Sequence, residues 1–379
     1  MKKLILLILI SFLFMGNVFA IDIEMDAPSA ILIDQNTGTI LYKKNEHEKR
    51  AMASMTKIMS LILIMEKIDD GSLKYDDEVE ISAEASAMGG SQIFLQVGDK
   101  YKVKELLKSI AMASANDAVV ALAEKTYGSK EAFIEAMNQK ASSMGLTNTH
   151  FANVHGLDTE NHYSSAYDMA LMAKELLKHE DILKFTSVYE EYLTRPDGSQ
   201  IWLVNTNKLV RFYKGVDGLK TGYTVNAGYC LTSTAKKNNL RLISVVMGEK
   251  TIENRSQDTV KLLNYGFNTY KVNVIKSKDE ILGKVKVKKG KKEYVDVVLV
   301  NDAIELLNVN DKISNYHFDI QVDKITAPVK KGDVIGKVMI YDENNNLINE
   351  AEITVNETIL KANLWDLFKR NLKLVTSFR

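Results

Sequence analysis

The spacing of apolar positions changes along the chain, and each change marks a different kind of element. From about Leu4 to Met15 the run is apolar without interruption, with Lys2 and Lys3 before it and Val18-Phe19-Ala20 after it. This is the three-part pattern of an export signal cleaved after Ala20, and it is shorter than the ~20 apolar residues a spanning helix needs. SAILIDQNTGTILYKKN then sets two β-rich runs around the turn Asn36-Thr37-Gly38, a hairpin pattern. Ile58 to Ile68 is apolar almost all round, with Leu61 to Met65 consecutive, which predicts a helix sunk in a core. Val103, Leu106, Leu107, Ile110 and Ala111 keep helical spacing, as do Ala118 to Leu122 after a break at Ser-Ala-Asn-Asp. GYCLTSTA and LRLISVVMG read as two strands joined by a polar turn from Lys236 to Asn239.

Strands at both ends of this region with helices between them predict an α+β domain. Its antiparallel sheet is closed by the N- and C-terminal strands and flanked by helices. After Tyr270 the texture becomes period-two, apolar residues alternating with lysines, and Gly290 and Gly332 fall at turns. That predicts a small all-β domain whose lysines face solvent and protect its edges. In the last stretch Leu360, Leu364, Leu367, Phe368, Leu374, Val375 and Phe378 share one helical face, with Lys369, Arg370 and Lys373 on the other. A basic amphipathic helix of this kind reads as an interfacial membrane anchor, and the pattern also fits a helix docked on the β domain. The expected organisation is therefore a signal peptide over 1–20, a catalytic domain over 21–270, a β domain over 271–355 and an amphipathic anchoring helix over 356–379. A length of 379 residues also exceeds what one compact core supports.

Composition narrows the function classes. Lys+Arg and Asp+Glu number 49 each, so bulk electrostatics give no reason to expect nucleic acid as a partner. The single cysteine, Cys230, excludes an intramolecular disulfide, and its place in a strand-like run reads as a small buried hydrophobe. There is no His-Glu-x-x-His, and the six histidines lack ligand spacing, so neither a metal nor an organic cofactor is expected.

The chemistry concentrates in three short stretches. In AMASMTKIMS, Ser54 and Lys57 stand three apart at the mouth of the buried helix. On a helix these positions share a face, so the amine can reach the hydroxyl. A desolvated lysine favours its neutral form and can take the serine's proton. A second Ser-x-x-Lys, Ser233 to Lys236, falls where a strand meets a turn and reads as accidental. Ser114-Ala115-Asn116 interrupts two helical segments, where a loop could present a hydroxyl and an amide. Lys220-Thr221-Gly222 opens the run to GYCLTSTA. Gly222 would let a substrate backbone pair closely with that strand, and Lys220 would lower the Lys57 pKa and attract a carboxylate. Singly, each fragment also fits an ordinary cap or turn. Jointly and in this order they are unlike an accident.

The three stretches resemble the active-site signature of penicillin-binding proteins and class A β-lactamases. The resemblance extends through SANDAVVALAE, GLTNTHFANVHGLD, YSSAYDMALMA, VDGLKTGYT and LRLISVVMG. The chain is thereby identified as similar to the D-alanyl-D-alanine carboxypeptidases, the low-molecular-mass penicillin-binding proteins of the penicillin-binding protein 5 type. The resemblance implies a β-lactamase/transpeptidase-like catalytic domain and the removal of the terminal D-Ala from peptidoglycan stem peptides, with β-lactams as inhibitors. It implies that Ser54 attacks the penultimate D-Ala carbonyl and that Lys57 takes its proton. It also implies that the backbone N–H groups of Ser54 and Tyr223 form the oxyanion hole. Ser114 would relay a proton to the leaving amine, and Asn116 would bind the peptide side of the substrate. Lys220, Thr221 and Arg255 would hold the terminal carboxylate; from sequence alone Arg255 also fits an exposed helix arginine. Two departures stand out: Ala115 where other members have Gly, and Tyr223 where the best-known member has His.

Other readings fit less well. A β-lactamase of class A pattern would place an Asn four residues beyond its deacylating Glu, and no Glu between Ser114 and Lys220 has one. A Ser-His-Asp hydrolase needs a Gly-x-Ser-x-Gly elbow, which is missing, so His155 reads as a residue that fixes a loop. A DD-endopeptidase on the same fold stays open at this point. A non-catalytic envelope scaffold would predict eroded motifs, and none is eroded.

Overall fold

The computed structural model describes residues 23–278 and 280–366. The expected export signal at 1–20 and residues 367–379 of the expected terminal helix lie outside the described residues. The chain divides into two compact units, one holding residues up to 236 together with 241–265, the other 237–240 and everything from 266 onward.

The first unit is built on a five-stranded antiparallel sheet. Its strands are β1 (Ser29–Asp34), β2 (Ile40–Lys44), β7 (Val216–Thr224), β8 (Gly228–Lys237) and β9 (Leu240–Glu249), in the order β2-β1-β9-β8-β7. The N-terminal strand β1 pairs with the last strand β9, Ser29 opposite Met247 and Asp34 opposite Leu242. The sheet is thus closed as the strand pattern at the two ends predicts. Gly38 turns the β1–β2 hairpin at φ +77°, a conformation that favours glycine. Two small hairpins lie outside the sheet: β3 (Glu78–Glu80) with β4 (Lys100–Lys102), and β5 (Glu190–Thr194) with β6 (Gln200–Val204).

Six helices of the chain matter below: α1 (Lys57–Asp69), α2 (Val103–Ala113), α3 (Asn116–Tyr127), α4 (Lys130–Ser143), α5 (Ala166–Leu176) and α6 (Ile252–Thr269). Helix α1 packs against α3, α4 and α5, and α5 packs in turn on β1. With neighbours on several sides, nine consecutive residues from Lys57 to Met65 are buried. That is why the α1 sequence carries no polar stripe. Strand β7 ends the sheet, so one of its two edges is unpaired by any strand of the sheet.

The second unit is β-structured from Tyr270 on. Contrary to the expected helix over 356–379, residues 356–363 are not helical: Ile359 and Lys361 instead bridge Val329 and Gly290, and helix begins only at Leu364. Strands β10 (Tyr270–Lys276) and β13 (Ala303–Asn308) form one pair. A five-stranded antiparallel sheet contains β11 (Gly283–Lys286), β12 (Tyr294–Leu299), β14 (His317–Val322), β15 (Gly336–Tyr341) and β16 (Leu347–Val355), ordered β11-β12-β16-β15-β14. Val297, Val338, Ile340, Ile353 and Val355 fill its core. Strand β11 lies at an edge and presents Lys284 and Lys286 to water, the protective arrangement its alternation predicts.

One buried feature of the first unit has no trace in the sequence pattern. At the end of β9, Glu249 meets Asp258 of α6, and both are buried. Asp258 accepts from the Ala27 amide at 2.9 Å and from Lys261 at 2.9 Å, which with Glu249 hold its carboxyl low against the opposing effect of burial. Burial and the neighbouring Asp258 push Glu249 up to about 7 from 4.5. Between those values the folded chain keeps a proton that the unfolded chain releases, so stability falls as pH rises through the window. Glu249→Gln, which keeps a donor and cannot ionise, should flatten the decline of Tm between pH 5 and pH 8. An unchanged slope in calorimetric scans would remove Glu249 as its source.

Candidate active site

The site is assembled around the start of α1. Ser54 does not stand on the α-helix itself but in a 3-10 turn, Ala53–Thr56, that runs directly into it. In 3-10 geometry residues three apart eclipse one another, which sets Ser54 and Lys57 side by side. The turn begins with Ala53 at φ +47°, a conformation that costs a residue with a Cβ about 1–2 kcal/mol. Two groups hold it there. Thr56 Oγ1 donates to Ala53 O at 2.8 Å and contacts His162 Nε2 at 2.8 Å. His162 Nδ1 accepts from the Ala152 amide at 3.0 Å, so Nε2 carries the proton and donates to Thr56. Burial pushes His162 down to about 4, which keeps the ring neutral and this tautomer in place. Gly156, at φ +95°, lies so close that a Cβ there would stand 2.0 Å from Ala53 O.

The Lys57 amine is fully buried and makes three polar contacts: Ser54 Oγ at 3.0 Å, Asn116 Oδ1 at 2.7 Å and the His155 carbonyl at 2.7 Å. Amide and carbonyl oxygens only accept, whereas the serine hydroxyl can donate. A neutral amine has two N–H bonds and one lone pair. In the neutral form, with the two oxygens taking its N–H bonds, the lone pair would face the Ser54 hydroxyl. Burial, and after it the charge of Lys220, lowers the Lys57 pKa well below the usual lysine value, and Asp117 opposes them weakly.

Ser114 and Asn116 enter from the break between α2 and α3. Ser114 ends α2 in the left-handed region at φ +62°, its hydroxyl buried and without a protein partner among the described residues. Ala115 sits at φ −57°, so the alanine is accommodated without strain where other members have glycine. Asn116 is oriented from the other side too, donating through Nδ2 to Gly89 O at 2.7 Å. The adjacent Asp117 accepts from the amides of Ile93 and Leu95 at 3.0 and 3.1 Å, clasping the 91–95 segment to the start of α3.

Lys220, Thr221, Gly222 and Tyr223 lie on β7. Lys220 is buried, donates to Thr221 O at 3.2 Å, and is pushed down to about 7 by burial and by Arg255. Thr221 Oγ1 donates to Thr206 Oγ1 at 2.7 Å. A Cβ on Gly222 would stand 2.7 Å from Met52 O and 3.1 Å from Ala53 Cβ. The missing side chain thus admits the serine turn. Tyr223 is exposed and stacks on its cross-strand partner Tyr229 with centroids 4.2 Å apart. Arg255, on α6, is buried with Nε unpaired among the described residues, so the exposed-arginine alternative is excluded.

The structure therefore joins Ser54, Lys57 and Asn116 by hydrogen bonds, places Ser114 two residues from Asn116, and sets Gly222 against the turn that carries Ser54. Sequence reasoning missed Thr56, His162, Gly156 and Asp117. His155 does fix a loop, its Nδ1 accepting from Leu157 N at 3.2 Å, but its carbonyl on Lys57 had no signal to betray it. The second Ser-x-x-Lys is structural, with Ser233 donating to Gly218 O at 3.0 Å.

A serine hydrogen-bonded to a buried lysine, on a helix-flanked antiparallel sheet, defines the penicillin-binding class of hydrolase. Residues 17–251 match the family model for D-alanyl-D-alanine carboxypeptidase, and residues 270–374 match that for the C-terminal domain of penicillin-binding protein 5. The chain belongs to the D-alanyl-D-alanine carboxypeptidase family. It is 45% identical over 359 residues to D-alanyl-D-alanine carboxypeptidase DacF of Bacillus subtilis, covering 94% of this chain and 92% of that one. Among solved structures it resembles penicillin binding protein 5 from Haemophilus influenzae, with TM-score 0.69, 31% identity and coverage of 89% of this chain and 99% of that one. It also resembles ampicillin-bound penicillin-binding protein D2 from Listeria monocytogenes, with TM-score 0.58, 30% identity and coverage of 65% and 99%.

Gly156→Ala is expected to displace the serine turn, because both its φ and its contact with Ala53 O exclude a Cβ. It should cost roughly 3 kcal/mol and slow acylation by a fluorescent penicillin. Urea unfolding and gel labelling measure the two effects; wild-type values for both would show that the turn does not depend on this contact.

Proposed function

We propose that the chain removes the terminal D-alanine from peptidoglycan stem peptides through an acyl-enzyme on Ser54. The contact between Ser54 Oγ and the Lys57 amine at 3.0 Å carries the reading. Ser54 Oγ bonds to the penultimate D-Ala carbonyl carbon while its proton passes to the Lys57 lone pair. The developing oxyanion is met by the N–H groups of Ser54 and Tyr223, a reading supported by the close approach of Gly222 to the Met52–Ala53 backbone. The C–N bond then breaks, and the leaving D-Ala amine takes the proton through Ser114, whose unpaired hydroxyl is free to relay it. Water hydrolyses the ester. Asn116 binds the peptide side, and the free edge of β7 suits pairing with an extended backbone. Lys220, Thr221 and Arg255 hold the terminal carboxylate, a bidentate task for which a buried guanidinium is well suited.

A β-lactam offers the same electrophile, a strained amide carbonyl beside a carboxylate, so it acylates Ser54. We also read the chain as exported and held at the outer face of the membrane by its C-terminal segment. The export pattern at 1–20 supports the first part. The exposure of Leu360, Leu364 and Trp365 supports the second, as does the basic amphipathic pattern beyond them. Among the described residues no helix is long and apolar enough to cross a membrane.

Two measurements test this mechanism. The purified chain should release D-alanine from a peptide ending in D-Ala-D-Ala, and Ser54→Ala should abolish both release and penicillin labelling. Release that survives the substitution would reject Ser54 as nucleophile. The second measurement is the pH profile of kcat/KM, which reports the free enzyme. Lys220 holds its proton below about 7 and loses it above, so carboxylate capture and kcat/KM should decline on the alkaline side. Lys220→Arg keeps its charge; it should lower the rate at neutral pH yet remove that decline up to pH 9. An unchanged alkaline limb would assign it to another group.

A further inference from the structure

The β5–β6 hairpin has two unlike faces. Inward, Leu193 and Leu203 are buried in the catalytic core. Outward, Tyr192 and Trp202 stand directly opposite each other across the strands and are 58% and 59% exposed. The same face continues with the pairs Thr194–Gln200 and Glu190–Val204. Two large aromatics left in water on a regular sheet contribute little to the core and call for another explanation.

The hairpin is anchored at both ends to the segments that build the site. Beyond its tip-side end, Arg195 Nη2 donates to Ile93 O at 3.3 Å, within the stretch clasped by Asp117. At its base, Asn205 Nδ2 donates to Thr186 O and Val188 O, at 3.0 and 2.9 Å. The next residue, Thr206, accepts from Thr221 on β7 and donates its amide to Met112 O at 3.1 Å. Hydrogen bonds thus tie the hairpin that carries the aromatic face to the segment clasped by Asp117 and to Thr221 of the site.

We infer that Tyr192 and Trp202 form a saccharide platform that holds the glycan strand to which the stem peptide is attached. A pyranose ring offers an apolar C–H face and a rim of hydroxyl and acetamido groups. Indole and phenol rings match the first as flat surfaces that lose little conformational entropy on binding. Glu190, Thr194 and Gln200 provide donors and acceptors for the second. Glu190 on this face pairs with Arg211 at 3.8 Å. The inference rests on the carboxypeptidase reading. A stem peptide in its native polymer is joined at its other end to polysaccharide, so a surface tied to the segments that build the site stands where sugar arrives with the polymer.

The test compares D-Ala release by the full chain from two substrates, a soluble pentapeptide ending in D-Ala-D-Ala and protein-free sacculi rich in pentapeptide. Trp202→Ala and Tyr192→Ala should leave kcat/KM on the soluble peptide within about twofold of wild type and lower the rate on sacculi roughly tenfold, with Trp202→Phe retaining part of it. Cosedimentation of ampicillin-acylated protein with sacculi gives a readout that bypasses the occupied cleft, and it should weaken in the same variants. Equal rates on sacculi for wild type and Trp202→Ala, or a parallel loss on both substrates, would overturn the platform. Failure of the wild type on the soluble peptide would instead strike the carboxypeptidase reading, which separates the two.

Discussion

Everything at this site turns on an amine taken fully out of water. An ammonium removed from water is costly, and an isolated one would lose its proton or unfold its surroundings. The chain makes that outcome useful. Two oxygens that can only accept, Asn116 Oδ1 and the His155 carbonyl, occupy the N–H bonds of Lys57, and the remaining direction faces Ser54. The apolar run of α1 supplies the low-dielectric setting, and the charge of Lys220 reinforces it. Serine alone is a weak nucleophile; on the proposed mechanism the burial of its neighbour gives it a base.

A second layer fixes where the hydroxyl stands. The left-handed Ala53 is held through a chain from the Ala152 amide to His162, to Thr56 and back to the Ala53 carbonyl. Gly156 and Gly222 press on the same turn from two directions, each lacking the atom that would push it away. Lys220 and Arg255 form a buried cationic pair whose mutual repulsion a carboxylate relieves. On the proposed mechanism, the charge that lowers the Lys57 pKa in the free protein is the charge that an anionic peptide end neutralises on binding.

Much of this was legible in the chain. The buried helix, the two-ended sheet and the lysine-studded β domain follow from periodicity, because each pattern has one economical way to hide its apolar face. The chemical residues were legible because three short motifs recur together in one family. The rest depended on the backbone. His155 acts on Lys57 through its carbonyl, which every residue has, so its type carried no signal. Thr56 and His162 lie 106 residues apart, and their contact exists only once the fold brings them together. That Gly222 packs against the serine turn was not legible, because its strand was known and the neighbour across it was not. Arg255 was ambiguous for the same reason, since a helix sequence does not say which of its polar residues faces inward.

The left-handed Ser114 has a wider meaning. Ending α2 with a glycine would relieve the backbone at φ +62°, and helices commonly end that way. Glycine would also leave no buried hydroxyl without a partner. By both measures the fold would be firmer without this serine, so its presence marks a place where the protein is less stable than its architecture permits. Strain of this kind survives where the surroundings enforce it and where a side chain at that point has a use. On the proposed mechanism, the left-handed backbone at the break between two helices serves turnover and not folding.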